Sequence, residues 1–281
     1  MPNTNIPKFK CQQCGKCCSR IRGRLAEEEK KFIEEFAYGK LPLVQLLPVE
    51  KMSFPLFDFE AKRFRKWQKE VNIDAKITPS RVLFDLNTNK SIVFTYYMDY
   101  DSCPFLKDNK CLIYNKKRAF VCRVFPFNKG PFLKTEEEFK KLPNESEEGL
   151  EKSETFLKED MFGKCPAITE IIPKLDDKNR KKIVSQLNES FGDSFLNIIE
   201  YDYLTEWINK LITKLIKEKR VRPAMNYPYK FLIKRIANSE KIDITDFLIK
   251  EKIKTKEEIE NLIKEFDNNI DAKEKIKEFL G

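Results

Sequence analysis

Histidine is absent from all 281 residues. That absence removes the imidazole as zinc ligand and general base, and with it Ser-His-Asp triads, Cys-His pairs, HExxH proteases, Cys₂His₂ fingers and Rieske centres. Glycine is scarce, at 8 residues, and neither G-x-G-x-x-G nor G-x-x-x-x-G-K-[ST] occurs, so nothing announces a dinucleotide-binding unit or a P-loop. S-adenosylmethionine remains open as a cofactor, although no loop marks it. No apolar run approaches membrane-spanning length, and residues 1–8 lack the apolar stretch of a signal peptide. The expectation is therefore a cytoplasmic protein with no membrane partner.

What is present in quantity is sulfur, as 8 cysteines. Four crowd the amino terminus, Cys11, Cys14, Cys17 and Cys18, and four follow at Cys103, Cys111, Cys122 and Cys165. A hydrophobic content of 41% with 35% charged residues describes a globular chain able to bury one large core or two modest ones. Such a chain does not need disulfide staples, and cytosolic thiols stay reduced except in hyperthermophiles, a source that the richness in lysine, glutamate and isoleucine would also suit. Metal ligation by thiolates is the preferred reading.

The formal charge of +9 raises the question of nucleic acid as a partner. Its distribution weakens that reading, because Lys8, Lys10, Lys16, Arg20, Arg22 and Arg24 lie within residues 1–24 without one acid among them. Cations gathered around the first cysteine cluster stabilise thiolates and compensate the charge of a thiolate-bound metal.

Periodicity sketches an α+β protein. Residues 25–38 read as a short helix stopped by Gly39, with Glu27, Glu28 and Glu29 in its first turn. Residues 76–86 and 91–97 read as two strands joined through 87–90, with Val82, Phe84 and Leu86 marking one buried face. A polar stretch over 135–160 is expected as a surface excursion with some helix. The cysteine-bearing, irregular domain with its β-hairpin and short helices is expected to cover 1–173, and an all-helical domain 174–281. In the latter, Tyr201, Leu204, Trp207, Ile208, Leu211, Ile212, Leu215 and Ile216 line one helix face, which Pro223 closes off. Thr255 and Asp271 each stand three residues before a glutamate, Glu258 and Glu274, as capping boxes do, and Ile259, Leu262, Ile263 and Phe266 supply the buried face of the helix after Thr255. This helical part is where a protein partner would dock.

Cys11-x-x-Cys14-x-x-Cys17 has the spacing of three consecutive ligands in bacterial ferredoxin loops, and Gly15 eases the tight winding that such a loop needs. Cys18 cannot easily share a centre with its neighbour; it either serves a second centre or stays a thiol. Eight thiolates suffice for two four-cysteine sites, and tetrahedral sulfur suits iron and zinc alike. Arg118 and Arg123 flank Cys122, with sulfur or an anionic substrate as one set of partners and nearby acids as the other. Tyr96, Tyr97, Tyr100 and Tyr114 either shield a cluster or build a sheet core, and Lys210, Lys214, Lys217, Lys219, Arg220 and Arg222 make a basic helix end that reads as a solvated face.

Taken together, Cys11-x-x-Cys14-Gly15-x-Cys17-Cys18, Cys103-Pro104-Phe105-Leu106, Cys111-x-Ile113-Tyr114 and Cys122-Arg123-x-Phe125-Pro126 resemble the CxxCxxCC family, also called YkgJ-like, over about residues 8–170. The resemblance implies a zinc- or iron-chelating domain, commonly described as iron–sulfur-containing, with all eight cysteines as ligands. An iron–sulfur cluster, 4Fe-4S in kind, is then the expected cofactor and zinc the alternative. Flagellin lysine methylases share the cysteine pattern, so a redox or methyl-transfer enzyme is one implied role. A metal-stabilised module that binds protein or RNA is the other. The chain departs from the family where Ala119 stands in place of a proline after Arg118.

Overall fold

The computed structural model describes residues 6–22, 27–28, 30–31, 34, 40–48, 51, 54–127, 165–175 and 180–281. Most of the expected helix over 25–38 and all of the polar stretch over 135–160 lie outside these residues. In chain order the elements are β1 (Val44–Gln45), β2 (Leu56–Phe57), α1 (Asp58–Glu70), β3 (Ile77–Asp85), β4 (Lys90–Met98), β5 (Leu106–Lys107), β6 (Lys110–Cys111), α2 (Phe120–Arg123) and α3 (Pro166–Thr169). They continue with α4 (Arg180–Phe191), α5 (Asp193–Lys217), α6 (Tyr229–Asn238), β7 (Lys241–Asp243), α7 (Ile244–Lys250), α8 (Lys256–Asp267) and α9 (Ile270–Leu280). The protein is α+β, with a carboxy-terminal region that is helical apart from β7. Among the described residues no helix is long and apolar enough to cross a membrane.

The chain forms two compact units, each discontinuous in sequence and each drawing on both sides of residue 173. The first comprises Met1–Lys16, Arg118–Glu206 and Lys264–Gly281, and the second Cys17–Lys117 and Trp207–Ile263.

The second unit is built on the hairpin β3–β4, which the alternation of residues predicts. Its turn occupies residues 86–89 because Asp85 closes it. The Asp85 carboxylate accepts hydrogen bonds from the backbone N–H groups of Asn87 and Thr88 and from the Thr88 hydroxyl, while Asn89 adopts φ +56°. The same carboxylate accepts the Arg222 N–H at 2.7 Å, which satisfies a carboxylate that is 1% exposed. Burial extends to both faces of the sheet, since Val82, Leu83 and Phe84 are all buried, and so is every residue of β4 after Lys90. The single buried face expected from Val82, Phe84 and Leu86 is thus a correction, with Leu86 half-buried at the start of the turn.

Strand β4 pairs with β3 along one edge and with two short strands along the other. Leu56 and Phe57 of β2 pair antiparallel with Tyr96 and Thr95, and β7 pairs parallel with Ser91, Ile92 and Val93. Strand β1 adds to the far side of β3, where a bulge around Ser80 interrupts the register. Helices α1 and α7 are among the elements packed against β4. They are tied to each other by Asp58, which opens α1 and accepts from the N–H and hydroxyl of Thr245.

The core of the first unit is aromatic and aliphatic. Phe127 lies edge-on to Phe191 with ring centroids 5.0 Å apart and is tilted against Phe195 at 5.5 Å, within a cluster that includes Ile6, Val124, Ile168, Val184, Leu187, Ile198, Ala272 and Ile276. Gly192 separates α4 from α5 with φ +45°, a conformation that costs a side-chain-bearing residue energy and lets the chain reverse directly from one helix into the next.

Two helix-end expectations change. Helix α5 ends at Lys217, before Pro223, because Lys219 takes φ +56° and the N–H groups of Lys219 and Arg220 bond back to the carbonyls of Ile216 and Leu215 at 3.0 and 2.9 Å. Helix α9 starts at Ile270, after Asn269 with φ +54°, so Asp271 sits in the first turn and caps nothing. The other box forms as expected, with the Glu258 N–H donating to the Thr255 hydroxyl at 3.1 Å and the Thr255 N–H to the Glu258 carboxylate at 2.6 Å.

Two outcomes are expected from this fold. Lys219→Gly should raise the free energy of unfolding by about 0.5 to 1 kcal/mol in urea titrations, since glycine adopts the left-handed terminus without the Cβ penalty. Burial raises the Asp58 carboxyl from 3.8 to about 6, against the Thr245 hydrogen bonds that lower it. An acid whose folded pKa is raised stabilises the fold below its unfolded pKa and loses that contribution as pH rises through the folded value. Asp58→Asn should therefore remove on the order of 2 kcal/mol from the decline in stability between pH 4 and 7, read from denaturation at each pH.

Candidate metal centre

None of the eight cysteines is in a disulfide; Cys14 is exposed and the others are half-buried. The division into units falls between Lys16 and Cys17, so Cys11, Cys14, Cys122 and Cys165 belong to the first unit and Cys17, Cys18, Cys103 and Cys111 to the second. The expected triplet of Cys11, Cys14 and Cys17 is distributed over both.

In the second unit the cysteines are positioned from β4. After the strand ends at Met98, Asp99 and Asp101 hold Arg22 at 2.9 and 3.1 Å, and the Asp101 carbonyl accepts the Ile21 N–H at 2.8 Å. The Cys103 N–H then donates to the Cys18 carbonyl at 2.7 Å. Cys111 returns toward Cys103 through the β5–β6 ribbon, whose two turn residues, Asp108 and Asn109, have φ +49° and +59° as a type I′ turn requires. Leu106 pairs with Cys111, and the Leu106 N–H donates to the Cys103 carbonyl at 2.9 Å. Between them Phe105 is fully buried, edge-on to Phe64 of α1 at 5.2 Å, which fixes the loop to the helix. The sulfurs of Cys17 and Cys18 are 3.8 Å apart.

In the first unit the cysteines hang from the core. Positive φ values at Gln13 and Gly15, +53° and +74°, wind the segment that carries Cys11 and Cys14, the role expected of Gly15. That segment is held by Phe9, whose N–H donates to the Ser190 carbonyl at 2.7 Å and whose ring is 6.4 Å from Phe125, and by the Ser190 hydroxyl on the Pro7 carbonyl at 2.6 Å. Cys122 lies on α2 just before Val124 and Phe127 of the core. Cys165 precedes α3, packs against the same core, and accepts the Ile168 N–H on its carbonyl at 3.0 Å.

Burial raises the Cys103 thiol to about 11, and the neighbouring Cys111 and Cys17 sulfurs push the same way. The Cys165 thiol is raised by burial too, with Cys14 and Cys11 contributing. Sulfurs that are desolvated and mutually repulsive as anions are what a cation reverses, because its charge offsets both costs. The donor set thus fits a thiophilic metal. Among the described residues, no three cysteine, aspartate or glutamate side chains stand close enough to hold one metal ion as they are placed.

Residues 10–147 match the model of the CxxCxxCC family, described as a putative zinc- or iron-chelating domain. The chain carries a CxxCxxCC domain. No curated protein and no solved structure matches the chain. The match supports metal binding, and its range takes in seven of the cysteines and stops short of Cys165.

Residues beside the cysteines of the CxxCxxCC domain take structural partners. Arg123 donates from Nε to the Arg118 carbonyl at 2.8 Å and from Nη1 to Asn197 at 2.6 Å, approaches Asp267 at 3.6 Å, and covers the Phe120 ring at 4.2 Å. Tyr96 donates its hydroxyl to Asp243, and Tyr100 accepts the Lys76 N–H at 3.0 Å, so these tyrosines belong to the sheet. Sequence reading overlooked Asn197 and Glu200. Both are buried, and Glu200 accepts the Ala272 N–H at 3.0 Å, its carboxyl raised to about 7 by burial. The signal was present, since Asn197, Glu200, Leu204 and Ile208 share the apolar stripe of α5 at steps of three and four.

Phe105→Ala should cost about 3 to 5 kcal/mol of stability in metal-free protein, the loss typical of a fully buried ring. Chemical denaturation of the reduced, chelator-treated protein checks this.

Proposed function

We propose that the CxxCxxCC domain holds iron as cysteine-ligated iron–sulfur, with Cys11, Cys14, Cys17, Cys18, Cys103, Cys111, Cys122 and Cys165 as the ligands, in the service of electron or group transfer. The observation that carries this reading is the spacing of the thiols. Cys103 is within electrostatic range of Cys111 and Cys17, and Cys165 of Cys14 and Cys11, yet no three described side chains close around a single ion. A four-iron cluster is wider than one ion and takes sulfurs that stand farther apart. The absence of histidine and the cations of residues 1–24 favour the same anionic, all-sulfur centre. When bound, such a cluster supplies one-electron redox chemistry or an electrophilic iron; the protein's residues supply the thiolates, their partial burial and the aromatic packing of Phe9, Phe105 and Phe125 behind them.

Zinc in a structural role is a second reading, and one contact favours it. The Cys17 and Cys18 sulfurs, at 3.8 Å, are near enough to share one ion. In that case the metal clasps irregular loops and the domain serves as a binding module.

Anaerobic purification followed by iron, zinc and acid-labile sulfide analysis separates the two. Iron with stoichiometric sulfide and broad absorption near about 400 nm is the expected result for thiolate-ligated clusters. Stoichiometric zinc without sulfide would replace the first reading by the second.

A further inference from the structure

We propose that the eight cysteines form two separate metal sites, one built from Cys11, Cys14, Cys122 and Cys165 and the other from Cys17, Cys18, Cys103 and Cys111. The inference rests on the reading that the chain binds metal, and adds which sulfurs belong together.

Three observations point to this pairing. The first is the partition of the chain, which places four cysteines in each compact unit although the amino-terminal four lie within eight residues of one another. A four-thiolate site needs four, for iron–sulfur or zinc.

The second is the anchoring of each set. Cys11 follows Phe9, Cys122 precedes Val124 and Phe125, and Cys165 precedes Ile168. Ile6, Val124, Phe127 and Ile168 are members of one core, against which Phe9 and Cys165 pack, while Phe125 reaches the Phe9 ring. In the other set, the Cys103 N–H on the Cys18 carbonyl and the β5–β6 ribbon tie Cys18, Cys103 and Cys111 together through backbone hydrogen bonds.

The third is the electrostatic neighbourhood. The sulfurs that act on Cys165 are Cys14 and Cys11, and those that act on Cys103 are Cys111 and Cys17. The grouping is the same as that of the backbone. It also removes the difficulty of Cys18, because Cys17 and Cys18 then belong to one set with their sulfurs on the same side, 3.8 Å apart. A ferredoxin-like triplet of Cys11, Cys14 and Cys17 is incompatible with this pairing.

The test uses the full chain, purified anaerobically with the metal it retains. Iodoacetamide labelling read by peptide mass spectrometry reports which cysteines are protected, and iron and zinc are counted per chain. Cys103→Ser should halve the metal and leave Cys17, Cys18 and Cys111 open to alkylation while Cys11, Cys14, Cys122 and Cys165 stay protected. Cys165→Ser should produce the reverse pattern. Circular dichroism identifies a variant that has unfolded, and Cys111→Ala or Cys122→Ala is then read in its place. If folded variants of either set expose cysteines of both sets together, or if Cys17 becomes reactive with Cys11 and Cys14, the pairing is overturned and metal binding stands. If wild-type protein retains no metal and all eight thiols react, both fall.

Discussion

Strand β4 must satisfy the backbone of a segment buried on both faces, and the second unit is organised around that requirement. Ser91 to Met98 are all buried, so each N–H and C=O has to find a ladder partner, water being excluded. The partners come from widely separated parts of the sequence: β3 along one edge, β2 and β7 along the other. Where β4 ends, Asp99 and Asp101 capture residues 21 and 22, and the next hydrogen bond draws Cys18 to Cys103. The position of the thiols in this unit is therefore a consequence of how the sheet closes.

Burial of ionisable groups is the second theme, and it has two resolutions. Asp58 and Glu200 are carboxyls raised by desolvation and held by backbone or hydroxyl donors, which leaves them costly as anions but structurally committed. Cys103 and Cys165 are raised by desolvation and by one another's neighbours, with sulfur where the carboxyls have donors. For thiols in that position a bound cation is the effective counter-charge. The cationic segment before and around the first cysteines works in the same direction.

Much of the local structure was legible in sequence. Alternating β-branched and aromatic residues announced the hairpin, the Thr255–Glu258 spacing announced a capping box, and Gly15 announced a left-handed turn. Other features were not. Lys219 occupies a left-handed terminus that glycine normally marks, so Pro223 drew attention three residues too late. Lys241 to Asp243 carry no strand pattern of their own; they become β7 because β4 offers an open edge. Asp271 had the spacing of a cap, but Asn269 had already begun the helix. In each case a hydrogen-bonding opportunity created by a distant segment outweighed a short local pattern.

The sequence by itself determined the donor chemistry: sulfur without imidazole, enough of it for two four-thiolate sites, set among cations and matched to a zinc- or iron-chelating family model over residues 10–147. Only the tertiary structure decided the company each sulfur keeps. Adjacent spacing groups Cys11, Cys14 and Cys17, whereas the fold distributes them between two units and brings Cys103 to Cys18 across more than eighty residues. Spacing along a chain limits which side chains can meet, but the cores to which their neighbours are anchored select which of them do.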